Sequence, residues 1–102
     1  PPCLIELKSI ARYEAAAGRA DLVSVSLSGP DATRAKLAQI GASPRRLWFA
    51  LDRDADVLIA LGGPPPRLPL AVAINAFGRV CGRRTGLLGT ETVKQWVAKC
   101  SS

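Results

Sequence analysis

Glycine and proline residues divide this chain into short segments whose apolar residues follow helical spacing in some segments and strand spacing in others. Apolar residues lie three or four positions apart in a helix, whereas they alternate with polar residues in a half-buried strand. Helices alternating with strands are typical of an α/β fold. A length of 102 residues suits one domain. The sequence therefore predicts a single α/β domain over residues 1–102.

The predicted order is helix, strand, helix, strand, short helix, hairpin and final helix. The predicted elements are a helix from about Pro2 to Ala17, a strand over 22–27, a helix over 32–40, a strand over 47–51, a short helix over 55–61, hairpin strands over 68–74 and 79–83, and a helix capped by Thr90. Residues 75–78 favour a hairpin turn, because Gly78 adopts a positive φ without steric cost.

The chain contains no histidine. Histidine metal sites, Ser-His-Asp triads and Cys-His dyads are therefore excluded from the chain as given. Its three cysteines, Cys3, Cys81 and Cys100, are too widely spaced for a zinc knuckle. We expect no metal and no cofactor, so cysteine chemistry in this chain is either redox or structural.

The chain carries a net charge of +6, which is compatible with binding to phosphate groups. The basic residues are scattered, however, and only Arg45-Arg46 and Arg83-Arg84 are adjacent. The few aromatic residues are dispersed and form no stacking platform for bases. We therefore expect a solvated basic surface and no nucleic-acid partner.

The chain opens with Pro1-Pro2-Cys3, and Glu6 follows three residues after the cysteine. Together with the order of elements, this string resembles the thioredoxin superfamily, and within it the bacterial periplasmic thiol–disulfide oxidoreductases of the TlpA and ResA kind. Their active-site helix opens with a C-x-x-C pair, often C-P-P-C, followed by a glutamate. The present chain matches that string from its second position.

A second string supports the same resemblance. Pro69 precedes an apolar strand over 70–74, which leads to Asn75 and a Gly78-Arg79-Val80 turn. The resemblance, which covers the whole chain, implies that Pro69 is the family's cis-proline and that the backbone of Leu68 binds an extended substrate segment. The residues alone leave another interpretation open, in which Pro69 begins an edge strand without a cis bond.

The resemblance implies a thioredoxin-like fold, in which helices flank a central mixed β-sheet and the chain starts at the active-site helix. The implied activity is thiol–disulfide exchange that reduces protein disulfides through a C-P-P-C pair. In the family mechanism the first cysteine attacks and the second resolves the mixed disulfide. Cys3 is therefore implied to be the resolving thiol, and the chain as given lacks the attacking cysteine.

Other members of the matched string have implied roles. Pro1 and Pro2 form the N-terminus of the active-site helix and remove N–H donors, which predicts a reducing pair. Glu6 is expected one turn from Cys3, where its carboxylate relays a proton. Two alternatives stay open: Glu6 is a first-turn acid favoured by the helix dipole, or Cys3 is a small buried apolar residue.

The chain departs from the family pattern in two places. Lys8 occupies the position of a common proline, which leaves a kink in the first helix unsupported. The apolar strand that normally precedes the cysteine pair is absent, and because that strand is central its absence exposes sheet edges. We expect that an upstream segment supplies it, the alternative being a strand swapped from another chain.

Two functions from different classes follow from the resemblance. One is a thiol–disulfide oxidoreductase, whose partners are a protein thiol or disulfide substrate and a redox partner protein. The other is a redox-inactive thioredoxin-like binding module. The resemblance implies a periplasmic or otherwise exported protein, with a membrane tether only through a segment preceding the domain.

The final helix of this fold packs onto the sheet, which implies that Cys100 lies near Cys81. Two outcomes are open. The cysteines form a structural disulfide, or they remain two unpaired thiols of which Cys81 is buried.

Overall fold

The computed structural model describes residues 2–50 and 52–101, and the side chains from residue 5 onward within these ranges. It is a mixed α/β structure with five helices and two small sheets. The elements are α1 (Pro2–Lys8), α2 (Ile10–Ala17), β1 (Ser24–Ser26), α3 (Pro30–Ile40), β2 (Leu47–Phe49), α4 (Asp54–Gly62), β3 (Leu70–Ile74), β4 (Val80–Thr85) and α5 (Thr90–Cys100). The α/β class is confirmed. The predicted order is confirmed except at the first helix.

The first helix is divided in two, so the prediction of one helix from Pro2 to Ala17 is wrong. The division lies at Ser9, whose hydroxyl donates a 3.1 Å hydrogen bond to the Ile5 carbonyl. The Ser9 carbonyl accepts the N–H groups of Arg12 and Tyr13, and these bonds close the first turn of α2. The Ser9 hydroxyl shares the Ile5 carbonyl with the Ser9 N–H, which also donates a 3.0 Å bond to the Glu6 carbonyl. This sharing of acceptors interrupts the regular helix without a proline at Lys8.

The strands form two separate two-stranded sheets among the described residues. Strands β1 and β2 are parallel, with Val25 opposite Trp48, and β3 and β4 are antiparallel, with Val72 opposite Arg83. The single central mixed sheet implied by the resemblance requires a further strand that pairs with both of these sheets, so it stays a prediction. None of the described segments supplies such a strand.

A hydrogen-bonded turn joins β3 to β4, so the predicted hairpin is confirmed. The side-chain oxygen of Asn75 accepts the N–H groups of Phe77 and Arg79, at 3.0 and 3.1 Å. Gly78 has a φ of 78°, the left-handed conformation that glycine adopts without steric cost. The turn is thus held by a side chain as well as by its backbone.

Helix α5 packs against α2 and β4 and encloses the main apolar cluster, in which Tyr13, Ala17 and Val93 are buried. Gly82 of β4 lies under Trp96, so close that a Cβ on Gly82 would stand 2.7 Å from the indole. The helix begins after Gly89, and Thr90 makes no side-chain cap, so the prediction that Thr90 caps this helix is wrong. The positive φ of Gly89 makes the turn into the helix instead.

A disulfide joins Cys81 of β4 to Cys100 at the end of α5, with a Cα–Cα distance of 5.8 Å. The structural disulfide is therefore confirmed, and the alternative of two unpaired thiols is wrong. Cys81 is half-buried rather than fully buried. Among the described helices, none has both the length and the apolar character needed to cross a membrane.

Candidate functional site

Helix α1 carries the first predicted site residues. The backbone of Pro2 and Cys3 lies in its first turn, while their side chains, and Pro1 as a whole, lie outside the described residues. The roles of Cys3 as resolving thiol and of Pro1 and Pro2 as the N-terminus of the site therefore stay predictions. The alternative for Cys3, a buried apolar residue, also stays open.

Glu6 connects α1 to a distant part of the chain. Its side-chain Oε1 accepts a hydrogen bond from the backbone N–H of Leu88, 82 residues away in sequence. The first turn of α1 contains no acidic residue, so Glu6 does not have the placement of a first-turn acid. Its carboxylate is half-buried at the contact between α1 and the loop that contains Leu88.

That loop, residues 86–89, joins β4 to α5 and is held by three other segments. The Gly86 N–H donates a 2.9 Å hydrogen bond to the Pro69 carbonyl. Leu88 donates to Glu6, and the Gly89 N–H donates a 3.2 Å bond to the hydroxyl of Tyr13 in α2. The 86–89 loop therefore connects α1, α2 and the start of β3 through its backbone donors.

Pro69 stands where β3 begins, and the peptide bond between Leu68 and Pro69 is cis, as predicted. The bond between Pro64 and Pro65 is also cis, which the sequence did not lead us to expect. Leu68 is exposed, and its backbone N–H and C=O make no hydrogen bond with the described residues. These two groups are therefore available to an extended segment alongside.

Three residues that adjoin this network in sequence have exposed apolar side chains. Ile5 precedes Glu6, Leu68 precedes Pro69 and Leu87 precedes Leu88, and all three side chains are exposed. We call Ile5, Glu6, Leu68, Pro69 and the 86–89 loop the Glu6–Pro69 site. Its apolar rim and free backbone groups offer contacts of the kind that bind an extended polypeptide.

The carbonyl of Leu87 is also fixed, because Arg84 donates a 2.6 Å hydrogen bond to it from Nε. Two charged groups thus bond to the 86–89 loop, the Glu6 carboxylate and the Arg84 guanidinium. In the described part of the chain, no three histidine, cysteine, aspartate or glutamate side chains come together as metal ligands.

The structure thus brings Glu6 and the Leu68–Pro69 pair to one loop, although about 60 residues separate them in sequence. The 86–89 loop and Tyr13 are not among the site residues that the sequence predicts. The sequence contained one signal for this loop, since Gly86 and Gly89 flank two leucines between two predicted elements.

Neither a scan against protein-family models nor a search of curated proteins finds a match to this chain.

Proposed function

We propose that this chain is a thioredoxin-like domain and that the protein it belongs to is a thiol–disulfide oxidoreductase that reduces protein disulfides. The observation that carries the proposal is the connection of α1, which contains Cys3, to Pro69 through the 86–89 loop. A disulfide reductase needs a cysteine at the start of a helix next to a surface that binds an extended substrate. The Glu6–Pro69 site offers such a surface beside α1.

The proposed reaction uses a C-P-P-C pair whose first cysteine precedes Pro1. Its thiolate attacks one sulfur of the substrate disulfide, forming a mixed disulfide and releasing the first substrate thiolate. The Cys3 thiolate then attacks the enzyme sulfur of that bond and releases the second substrate thiolate. The substrate gains two electrons, the enzyme pair becomes a disulfide, and a dithiol partner protein restores it.

Residues of the Glu6–Pro69 site and of the start of α1 have separate parts in this reaction. The free backbone groups of Leu68, next to Pro69, bind the substrate segment beside the cysteine pair. Glu6, fixed by the Leu88 N–H, accepts the Cys3 proton when Cys3 attacks. Pro1 and Pro2 supply no N–H donors to the attacking thiolate, which favours a reducing pair.

A second function, a redox-inactive binding module, has one observation in its favour. Cys81 and Cys100 are bridged, so Cys3 is the only cysteine of the chain outside that bridge. Cys3 closes a dithiol cycle only with a second cysteine, so this function follows where the residue before Pro1 is not a cysteine. The binding module would use the same Leu68 backbone groups to dock its partner without electron transfer.

The residue encoded immediately before Pro1 separates the two functions. A cysteine there, with insulin-disulfide reduction by the whole protein, supports the oxidoreductase. Any other residue, with retained binding of an extended peptide at Leu68, supports the binding module and contradicts the oxidoreductase.

We further propose that the protein acts in the periplasm or otherwise outside the cytoplasm. The Cys81–Cys100 bridge supports this location, because structural disulfides persist in oxidising compartments. A coding sequence that passes directly into the domain, with neither signal peptide nor membrane anchor, would contradict it.

A further inference from the structure

The tip of the β3–β4 hairpin exposes an apolar surface. Phe77 in the turn is 88% exposed. Ile74 and Val80 are direct cross-strand partners, so their exposed side chains lie next to each other beside that turn. We call Ile74, Phe77 and Val80 the hairpin tip.

The hairpin tip is held in this form by its own hydrogen bonds. Asn75 accepts two backbone N–H groups with its side chain, and its own N–H donates a 2.9 Å bond to the Arg79 carbonyl. The Gly78 N–H donates a 3.0 Å bond back to the Asn75 carbonyl. Phe77 is therefore presented by a fixed turn, which lowers the conformational entropy lost when it enters an apolar phase.

The charged residues of the segment that contains the hairpin tip have one sign. Residues 57–90 contain no aspartate or glutamate, and their four charged residues are all arginines. These are Arg67, Arg79, Arg83 and Arg84, and all four are exposed. None forms a salt bridge with a carboxylate among the described residues. Segment 57–90 thus carries +4 of the chain's net charge of +6.

Along β4, Arg83 lies farther from the turn than Val80 does. Arg83 lies three residues after Val80, which corresponds to about 10 Å along a strand. Interfacial protein segments bury apolar side chains roughly 5–10 Å into the boundary between headgroups and acyl chains. When Phe77 occupies that boundary, Arg83 is at the height of the headgroups, and Arg79 reaches them by extending its side chain.

Other partners fit these observations less well. A stable protein interface buries about 800 Å² on each partner, whereas one aromatic side chain buries roughly 150–250 Å², so three residues at a convex tip fall short. Single-stranded nucleic acid stacks its bases on aromatic faces. Ile74 and Val80 offer no such faces.

We propose that the hairpin tip docks on an anionic lipid surface, with Phe77, Ile74 and Val80 in the interface and Arg79 and Arg83 on lipid phosphates. This proposal is independent of the redox function. It requires no covalent step. It assigns the protein a peripheral membrane contact on the β3–β4 hairpin.

The test is co-sedimentation of the full chain with vesicles of phosphatidylglycerol and phosphatidylcholine, compared with vesicles of phosphatidylcholine alone. We expect binding to the anionic vesicles that weakens as salt is added. Phe77→Ser should lower the partition coefficient about tenfold, because it removes the largest apolar group from the interface. Arg83→Gln should lower it about fivefold.

Two control variants keep the test specific. Trp48→Ser removes a 63% exposed aromatic residue from the β1–β2 sheet, and Arg19→Gln removes an exposed arginine outside residues 57–90. The proposal predicts no effect of Trp48→Ser and less than twofold for Arg19→Gln, with unchanged far-UV circular dichroism for all four variants. Equal losses in test and control variants, equal binding to neutral vesicles, or no binding to either would overturn it. Phe77-dependent binding to single-stranded DNA without vesicle binding would also overturn it.

Discussion

The two sheets of this molecule are anchored very differently. The β3–β4 sheet is bonded covalently to α5 through Cys81–Cys100, lies under Trp96 at Gly82, and is hydrogen-bonded through the 86–89 loop to α1. The β1–β2 sheet contacts α3 through two pairs of side chains. There Ser26 bonds Thr33 at 2.7 Å, and the Arg34 guanidinium lies 5.7 Å from the centre of the Phe49 ring.

One face of the β1–β2 sheet is open. Val25 and Trp48 are paired across the strands, and both side chains are exposed. Ser24 precedes Val25 in β1, so its side chain points to the opposite face of the sheet. Its hydroxyl is buried there and has no hydrogen-bond partner among the described residues.

The β3–β4 half, which builds the Glu6–Pro69 site, is tied to α1, α2 and α5 by contacts between distant segments. The β1–β2 sheet, by contrast, is tied to α2 through Arg45, two residues before β2, whose N–H donates to the Glu14 carboxylate. Stability and site geometry should therefore fail together in the β3–β4 half.

The largest loss of stability is expected from removing the disulfide of the β3–β4 half. Replacing both Cys81 and Cys100 with alanine should lower the free energy of unfolding by about 3 kcal/mol, because the bridge closes a loop of about 20 residues in the unfolded chain. Urea unfolding followed by circular dichroism measures this change. Reductant should destabilise the native chain similarly and leave the double variant unaffected. A reductant effect of equal size in both proteins would mean that the bridge is not its target.

A smaller loss is expected where β4 meets α5. Gly82→Ala should lower the free energy of unfolding by about 2 kcal/mol, because the added Cβ would overlap the Trp96 indole. The same substitution in a Trp96→Leu background serves as the control, since the smaller side chain leaves room for the methyl group. If Gly82→Ala costs the same in both backgrounds, the close approach of Gly82 to Trp96 is not what limits this position.

The hydrogen bond from the 86–89 loop to α2 should contribute less again. Tyr13→Phe removes the acceptor of the Gly89 N–H and should lower the free energy of unfolding by about 1 kcal/mol. Hydrogen exchange of the Gly89 amide is expected to accelerate more than exchange of the Ser101 amide at the far end of α5. If the exchange rate of the Gly89 amide is unchanged in this variant, the hydrogen bond from Gly89 to Tyr13 does not protect that amide.

The smallest effect is expected on the open sheet. Trp48→Ser should change the free energy of unfolding by less than about 0.5 kcal/mol, despite the loss of a large aromatic side chain, because Trp48 is mostly exposed. Replacing a buried residue of the α2–α5 cluster, as in Val93→Ala, provides the contrast and should cost more than 1 kcal/mol. Equal losses in both variants would contradict the difference between the two halves.

The sequence predicted the elements well because their signals are local. Apolar alternation in 22–27, the glycine after α3 and the turn chemistry at 75–78 each act within a few residues, and all three elements are present. The division of the first helix was missed. A serine hydroxyl that bonds its own helix backbone does not alter the spacing of apolar residues, so that spacing cannot reveal the break at Ser9.

Only part of the candidate site could be predicted, since its parts come together through tertiary contacts. The matched strings identified Glu6, Leu68 and Pro69. The 86–89 loop joins them through backbone N–H groups, which every residue except proline carries. The Cys81–Cys100 bridge stayed open in the sequence because it depends on how α5 packs on β4.

The most direct test of the proposed reaction is to trap its intermediate in the whole protein, including the residues that precede Pro1. Cys3→Ser removes the proposed resolving thiol and leaves the Glu6–Pro69 site unchanged. We predict that this variant loses multiple turnover with a protein disulfide substrate and accumulates a mixed disulfide on the cysteine preceding Pro1, visible on a non-reducing gel. Full turnover by the Cys3→Ser variant, or no mixed disulfide at all, would contradict the account.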